Sequence, residues 1–143
     1  MSRGWGQSSV TFLGAAVLGG CASDIGPSPA ELKAQWEAQN VYPQAYKGDL
    51  LAFMRTYLND PTHVRGAMLS QPALKEIGPG QRYVACLRYN ARDMQGKYMG
   101  LKGGAAVYVL AKLDRFIDTP PAVKDICKDA VYAPFPELEA LTR

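Results

Sequence analysis

Gln81-Arg82-Tyr83-Val84-Ala85-Cys86-Leu87-Arg88-Tyr89-Asn90 carries the clearest period in this chain. Tyr83, Ala85, Leu87 and Tyr89 alternate with Arg82, Val84, Cys86 and Arg88. A period of two in a run rich in tyrosine and valine predicts a strand with one more apolar face. A glycine-bearing loop follows over residues 91–104. Residues 105–110 predict a second strand, rich in valine and tyrosine. A turn near Ala111-Lys112 leads to a third strand over residues 113–118. Three sequential strands with short links favour an antiparallel meander. Thr119-Pro120-Pro121 ends that sheet. Residues 123–130 predict a helical turn, and the tail from Tyr132 runs extended through Pro134 and Pro136 into a terminal turn.

On the N-terminal side the period becomes helical. In residues 49–59, Leu50, Leu51, Phe53, Met54, Tyr57 and Leu58 recur at helical spacing, with Asp49 as expected N-cap. Asp60-Pro61 stops this helix, because a residue before proline avoids the helical region. Residues 62–74 predict a second, less regular helix broken near Pro72, with Val64, Met68 and Leu69 inward. Gly78-Pro79-Gly80 is a turn. Residues 40–48 read as loop, with Tyr42 and Tyr46 flanking Pro43. A short helix is expected over residues 29–38, with Ser28 as N-cap, Pro29 in the first position and Glu31 in the first turn. The expected class is therefore α+β: N-terminal helices packed on a three-stranded antiparallel meander.

The N-terminus explains where such a domain works. An apolar run over residues 10–18 is followed by Leu18-Gly19-Gly20-Cys21 and then by a polar segment with two prolines. The run is too short to span a bilayer, which takes about 20 apolar residues. It suits the apolar core of a secretory signal. The stretch resembles a bacterial lipoprotein signal peptide ending in a lipobox. That resemblance implies that the Cys21 thiol takes a diacylglyceryl group, that residues 1–20 are removed, and that the new amino terminus is acylated. Ala22 after the cysteine implies sorting to the outer membrane, facing the periplasm. The expected organisation is a signal peptide (1–20), a lipidated cysteine with flexible tether (21–30) and one domain (31–143). Two further stretches, residues 46–61 and 82–93, look like small uncharacterised lipoproteins of alphaproteobacteria. The likeness covers most of the chain after Cys21 and transfers no activity. The helix-then-three-strand order also resembles, at the level of fold, the small lipoprotein subunit of the outer-membrane barrel-assembly machinery.

With Cys21 lipidated, Cys86 and Cys127 remain. An even pair in an exported chain reads as a disulfide, expected to contribute roughly 3–4 kcal/mol in the chain-entropy model. Two cysteines and one histidine do not make a four-ligand zinc set, and neither metal nor cofactor is expected.

The chain has 16 lysines and arginines against 13 acids, for a formal charge of +3. That balance is too mild to suggest nucleic acid. The bases are unevenly spread, however: Arg82, Arg88, Arg92, Lys97, Lys102, Lys112 and Arg115 face only Asp93 and Asp114 within one stretch. Arg82, Arg88, Arg92, Lys97, Tyr98 and Lys102 are the candidate interaction surface, for an envelope protein or an anionic envelope polymer. The plainer reading is a solvated sheet face. Tyrosines in loop-like segments, Tyr42, Tyr46, Tyr98 and Tyr132, are further recognition candidates.

Catalytic signals are weak. His63 has no nucleophile beside it in sequence and reads as an exposed loop histidine. Ser23, Ser28 and Ser70 lie in no GxSxG elbow. The glycine pairs match no phosphate loop. Asp93 and Asp114 form a carboxylate pair only if the fold brings them together. The expected function is a non-enzymatic binding module of the envelope. The alternatives are a periplasmic small-ligand module with a pocket between helix and sheet, an accessory subunit of outer-membrane assembly and, weakest, an envelope hydrolase.

Overall fold

The computed structural model describes residues 25–142. The expected signal peptide, Cys21 and the first residues of the expected tether lie outside the described residues. Ten elements follow: α1 (Pro29–Glu37), α2 (Tyr46–Tyr57), β1 (Asp60–Ser70), β2 (Ala73–Ile77), β3 (Gly80–Arg92), β4 (Lys102–Val109), β5 (Lys112–Ile117), α3 (Pro120–Ile126), β6 (Tyr132–Pro134) and α4 (Pro136–Glu139).

All six strands join one antiparallel sheet, ordered β5-β4-β3-β1-β6, with β2 also paired to β3. This corrects the expected α+β fold with a three-stranded meander. The meander is only the β3-β4-β5 half, and residues expected to form a second helix are strand. The helix-then-three-strand order behind the barrel-assembly likeness is replaced accordingly.

The reason lies in β1. Its ladder to β3 shifts register between Asp60 and Arg65 and again between Arg65 and Met68. His63 and Gly66 both have φ of +60° at these shifts. Such bulges insert residues and turn the inward face, so Val64 and Ala67 are both buried although three apart. A bulged strand thereby imitates helical spacing. β2 and β1 pair with the same edge of β3, the Gly78-Pro79 turn closing the hairpin. Between them Pro72, which has no N–H to donate, breaks the strand. The Ser70 hydroxyl accepts the buried Cys86 N–H at 2.8 Å beside this break.

β3 is covered on both faces. Ala85, Leu87 and Tyr89, with Ala106 and Tyr108 of β4, pack under Leu50 and Met54 of α2 and under Phe135 and Leu138. Burying a side chain such as Leu50 or Met54 contributes about 1.5–3 kcal/mol. Val84 and Cys86, with Ala105 and Val107, pack under Val123 and Cys127 on the opposite face. α2 begins three residues before the expected start, so Asp49 lies in its first turn rather than at the cap, still favourable for the helix dipole. α1 shows the expected Ser28 cap as a full capping box with Glu31. It buries no residue of its own. Gly104 faces Phe116 so closely that a Cβ there would fall 2.0 Å from the ring.

Candidate anion-binding groove

Cys86 and Cys127 are at bonding distance, 2.02 Å between sulfurs, joining β3 to the end of α3. The link carries α3 and the turn after it across β3 and β4. Gly103 permits the close approach, since a Cβ at that position would sit 3.1 Å from Val123 Cγ1. Lys124 of α3 and Lys128 of the turn after it are thereby brought to Arg88 of β3 and Lys102 of β4.

These four cations line a groove of about 370 Å³ with Tyr132 and Leu101, and no carboxylate lines it. The Arg88 guanidinium lies 4.1 Å over the Tyr132 ring, a contact that fixes its direction. None of the four forms an ion pair among the described residues. Asp125 and Asp129, the acids of the α3 segment, line a neighbouring cleft with Lys75 and Glu76 of β2, and Lys128 borders that cleft too. A second cleft shares Arg88, Lys102 and Lys124 and ends at Tyr57, Tyr89 and Asp118. There the Tyr57 hydroxyl donates to Asp118. Burial, then the Asp118 hydrogen bond, pushes Tyr57 well above the usual phenol range, and burial raises Tyr89 as well. Both phenols therefore stay neutral, and Asp118 is already engaged.

The fold divides the sequence-predicted surface. Arg88 and Lys102 reach the groove. Arg82 does not: it is 3 % exposed and stacks 3.8 Å from the Trp36 ring. It donates to the Trp36 carbonyl, to Gln39 Oε1 at 2.9 Å and to Asn40 Oδ1 at 3.4 Å. Arg82 is thus an internal brace for α1, and its place in the expected interaction surface is corrected. Lys97 is exposed in the β3–β4 loop. Tyr98 donates to the His63 carbonyl at 2.6 Å and carries Arg65 4.1 Å over its ring.

Arg92, half-buried, is also engaged by the fold. Its guanidinium holds Asp60 through Nε at 2.8 Å and Nη2 at 2.6 Å, and Nη2 lies 2.8 Å from His63 Nδ1. A guanidinium only donates, so Nδ1 is the acceptor in this contact. Thr62 hydrogen bonds and then Arg92 hold the Asp60 carboxyl at about 2, despite an opposing effect of burial. A depressed carboxyl stabilises the fold above its unfolded value of about 3.9 and loses that contribution as pH falls through about 2. Asp60→Asn is therefore expected to lower stability at pH 7 and to flatten the pH dependence between about 4 and 2. Urea melts across that range check it, and an unaltered acid limb would show that other groups set it.

Asp93 and Asp114 have separate partners. Asp93 Oδ1 accepts the N–H groups of Gln95 and Lys97 at 2.9 Å, and Asp114 pairs with Arg115 at 2.8 Å. Lys124 and Lys128 were missed in the sequence because they lie far from the basic stretch. The Cys86–Cys127 pairing was the signal that could have found them.

No protein-family model, no curated protein and no solved structure matches this chain. Among the described residues, no helix is long and apolar enough to cross a membrane.

Proposed function

We propose that this chain is an envelope lipoprotein, anchored through Cys21, whose domain binds phosphate-bearing envelope ligands without chemical turnover. The observation that carries the binding half is the groove of Arg88, Lys102, Lys124 and Lys128, free of carboxylates. Four cations held close together, with no carboxylate lining the groove itself, raise the local potential there and favour a multivalent anion. The lipobox stretch carries the anchoring half. The space between α2 and the sheet is filled by Leu50, Met54, Tyr108 and Phe135, each at most 1 % exposed. Recognition is accordingly assigned to the surface groove rather than to an internal pocket.

Titration with inorganic pyrophosphate, followed by amide chemical shifts, tests the groove. Saturable shifts are expected at Lys102, Gly103, Lys124 and Lys128. Arg88→Glu/Lys124→Glu is expected to weaken binding by about tenfold or more, taking about 1 kcal/mol per partly solvated contact. Shifts scattered evenly over surface lysines would end the proposal. Cys21→Ser is expected to move the protein from the membrane fraction to the soluble fraction or leave it unprocessed, and unchanged processing and membrane retention would remove the anchor.

A further inference from the structure

The β3–β4 loop beside the groove is braced yet exposes apolar side chains. Asp93 caps it through two backbone N–H groups. The Asn90 side chain accepts the Gly100 N–H at 3.0 Å, and the Met99 N–H returns to the Ala91 carbonyl at 3.1 Å. On this scaffold Met94 is 81 % and Leu101 67 % exposed. Isolated exposed apolar residues are ordinary, whereas several on one ordered loop mark a contact surface. Lys97 and Lys102 alternate with them along the chain, and Lys124 lies across the groove from Lys102. Asp93, bonded to the loop backbone, and Asp118, bonded to Tyr57, are the nearby acids, and neither forms an ion pair with Lys97, Lys102 or Lys124.

Apolar side chains set among unpaired cations match one kind of surface, a bilayer with anionic headgroups. We propose that this loop and the adjoining groove form a second, non-covalent membrane contact. Met94 and Leu101 enter the acyl boundary, and Lys97, Lys102 and Lys124 meet headgroup phosphates. The inference deepens the anion-binding reading of the groove and rests on it. The contact lies at the far end of β3 from α1, which packs at the β2–β3 turn. β3 has 13 residues, so about 40 Å separates the two ends at strand rise. A lipid anchor ahead of α1 together with this loop would hold the domain along the surface instead of leaving it free to swing.

The test uses the full chain with Cys21→Ser and Gln95→Cys, labelled with a nitroxide at position 95. Collision rates with oxygen and with a nickel chelate are read in the presence of phosphatidylcholine vesicles and of vesicles with added phosphatidylglycerol. The probe reports the surroundings of the loop whatever the N-terminal segment does. With phosphatidylglycerol present, oxygen access is expected to rise and chelate access to fall. Met94→Ser/Leu101→Ser is expected to reverse that shift, both positions being exposed and outside the core. A label that stays in water with both vesicle types overturns the inference. If pyrophosphate still shifts the groove amides in that case, the anion-binding reading stands and its ligand is a free or polymer-borne phosphate. Equal insertion into both vesicle types also overturns the inference, because the cations then contribute nothing. Insertion that persists without any pyrophosphate response removes the groove reading, and with it the headgroup contact of Lys102 and Lys124 on which the inference rests.

Discussion

Cys127→Ser is expected to lower the unfolding free energy by about 3–4 kcal/mol, the contribution of closing a loop of this length. For a domain of this size that corresponds to a fall of roughly 10–15 °C in Tm. The 41-residue separation between the cysteines spans β4, β5 and α3. Without the bond, that whole segment gains freedom in the unfolded chain. Cys86→Ser should match Cys127→Ser, the double variant should add little, and reductant should reproduce the loss in the unaltered protein. A second readout separates this bond from a general stabiliser. α3 presents Lys124 and is held on the sheet by Val123 and Cys127. Pyrophosphate affinity is therefore expected to fall at temperatures where the variant is still folded. A melting curve insensitive to reductant would refute the pairing.

Arg82→Ala is expected to release α1 and to cost roughly 2–3 kcal/mol. Three acceptors on residues 36–40 would lose their donor, and a cation–π contact would vanish. The loss concentrates on α1 because no residue of that helix is fully buried, Trp36 being half-buried against Arg82 itself. Its other contacts to the sheet are few: Glu37 accepts the Gln81 N–H at 3.2 Å, and Asn40 donates to the Gln81 carbonyl at 2.9 Å. Hydrogen exchange should accelerate in the α1 amides while the core strands keep most of their protection. Arg82→Lys should recover only part of the loss, since a single ammonium cannot reproduce the planar fork that reaches Trp36, Gln39 and Asn40 together. Unchanged exchange in α1 would mean that the Glu37 and Asn40 contacts suffice.

The contrast between Arg82 and Arg88 shows where sequence reading stops. Both occupy even positions of the same alternating strand, and both were expected at the surface. Six residues along the strand, the covering element changes. Near Arg82 the strand meets α1, whose carbonyl and amide acceptors replace water. At Arg88 it meets the face of the Tyr132 ring, which leaves the guanidinium open to solvent. β1 teaches a related lesson: two positive-φ positions, His63 and Gly66, let a strand bury Val64 and Ala67 at a spacing that local periodicity assigns to a helix.

Features that depend on near neighbours were readable from the residues: the Ser28 cap of α1, the apolar stripe of α2, the Gly78-Pro79 turn and the alternation of β3. Each is set by backbone sterics or by side chains a few positions apart. The Cys86–Cys127 pairing was expected as well, once the lipobox resemblance set Cys21 aside among the three cysteines. The six-strand order, the burial of Arg82, the pairing of Arg92 with Asp60 and the meeting of Arg88 and Lys102 with Lys124 and Lys128 were decided in three dimensions. They depend on which distant segments share an edge or a face of the sheet, and charge along the chain carries no information about that.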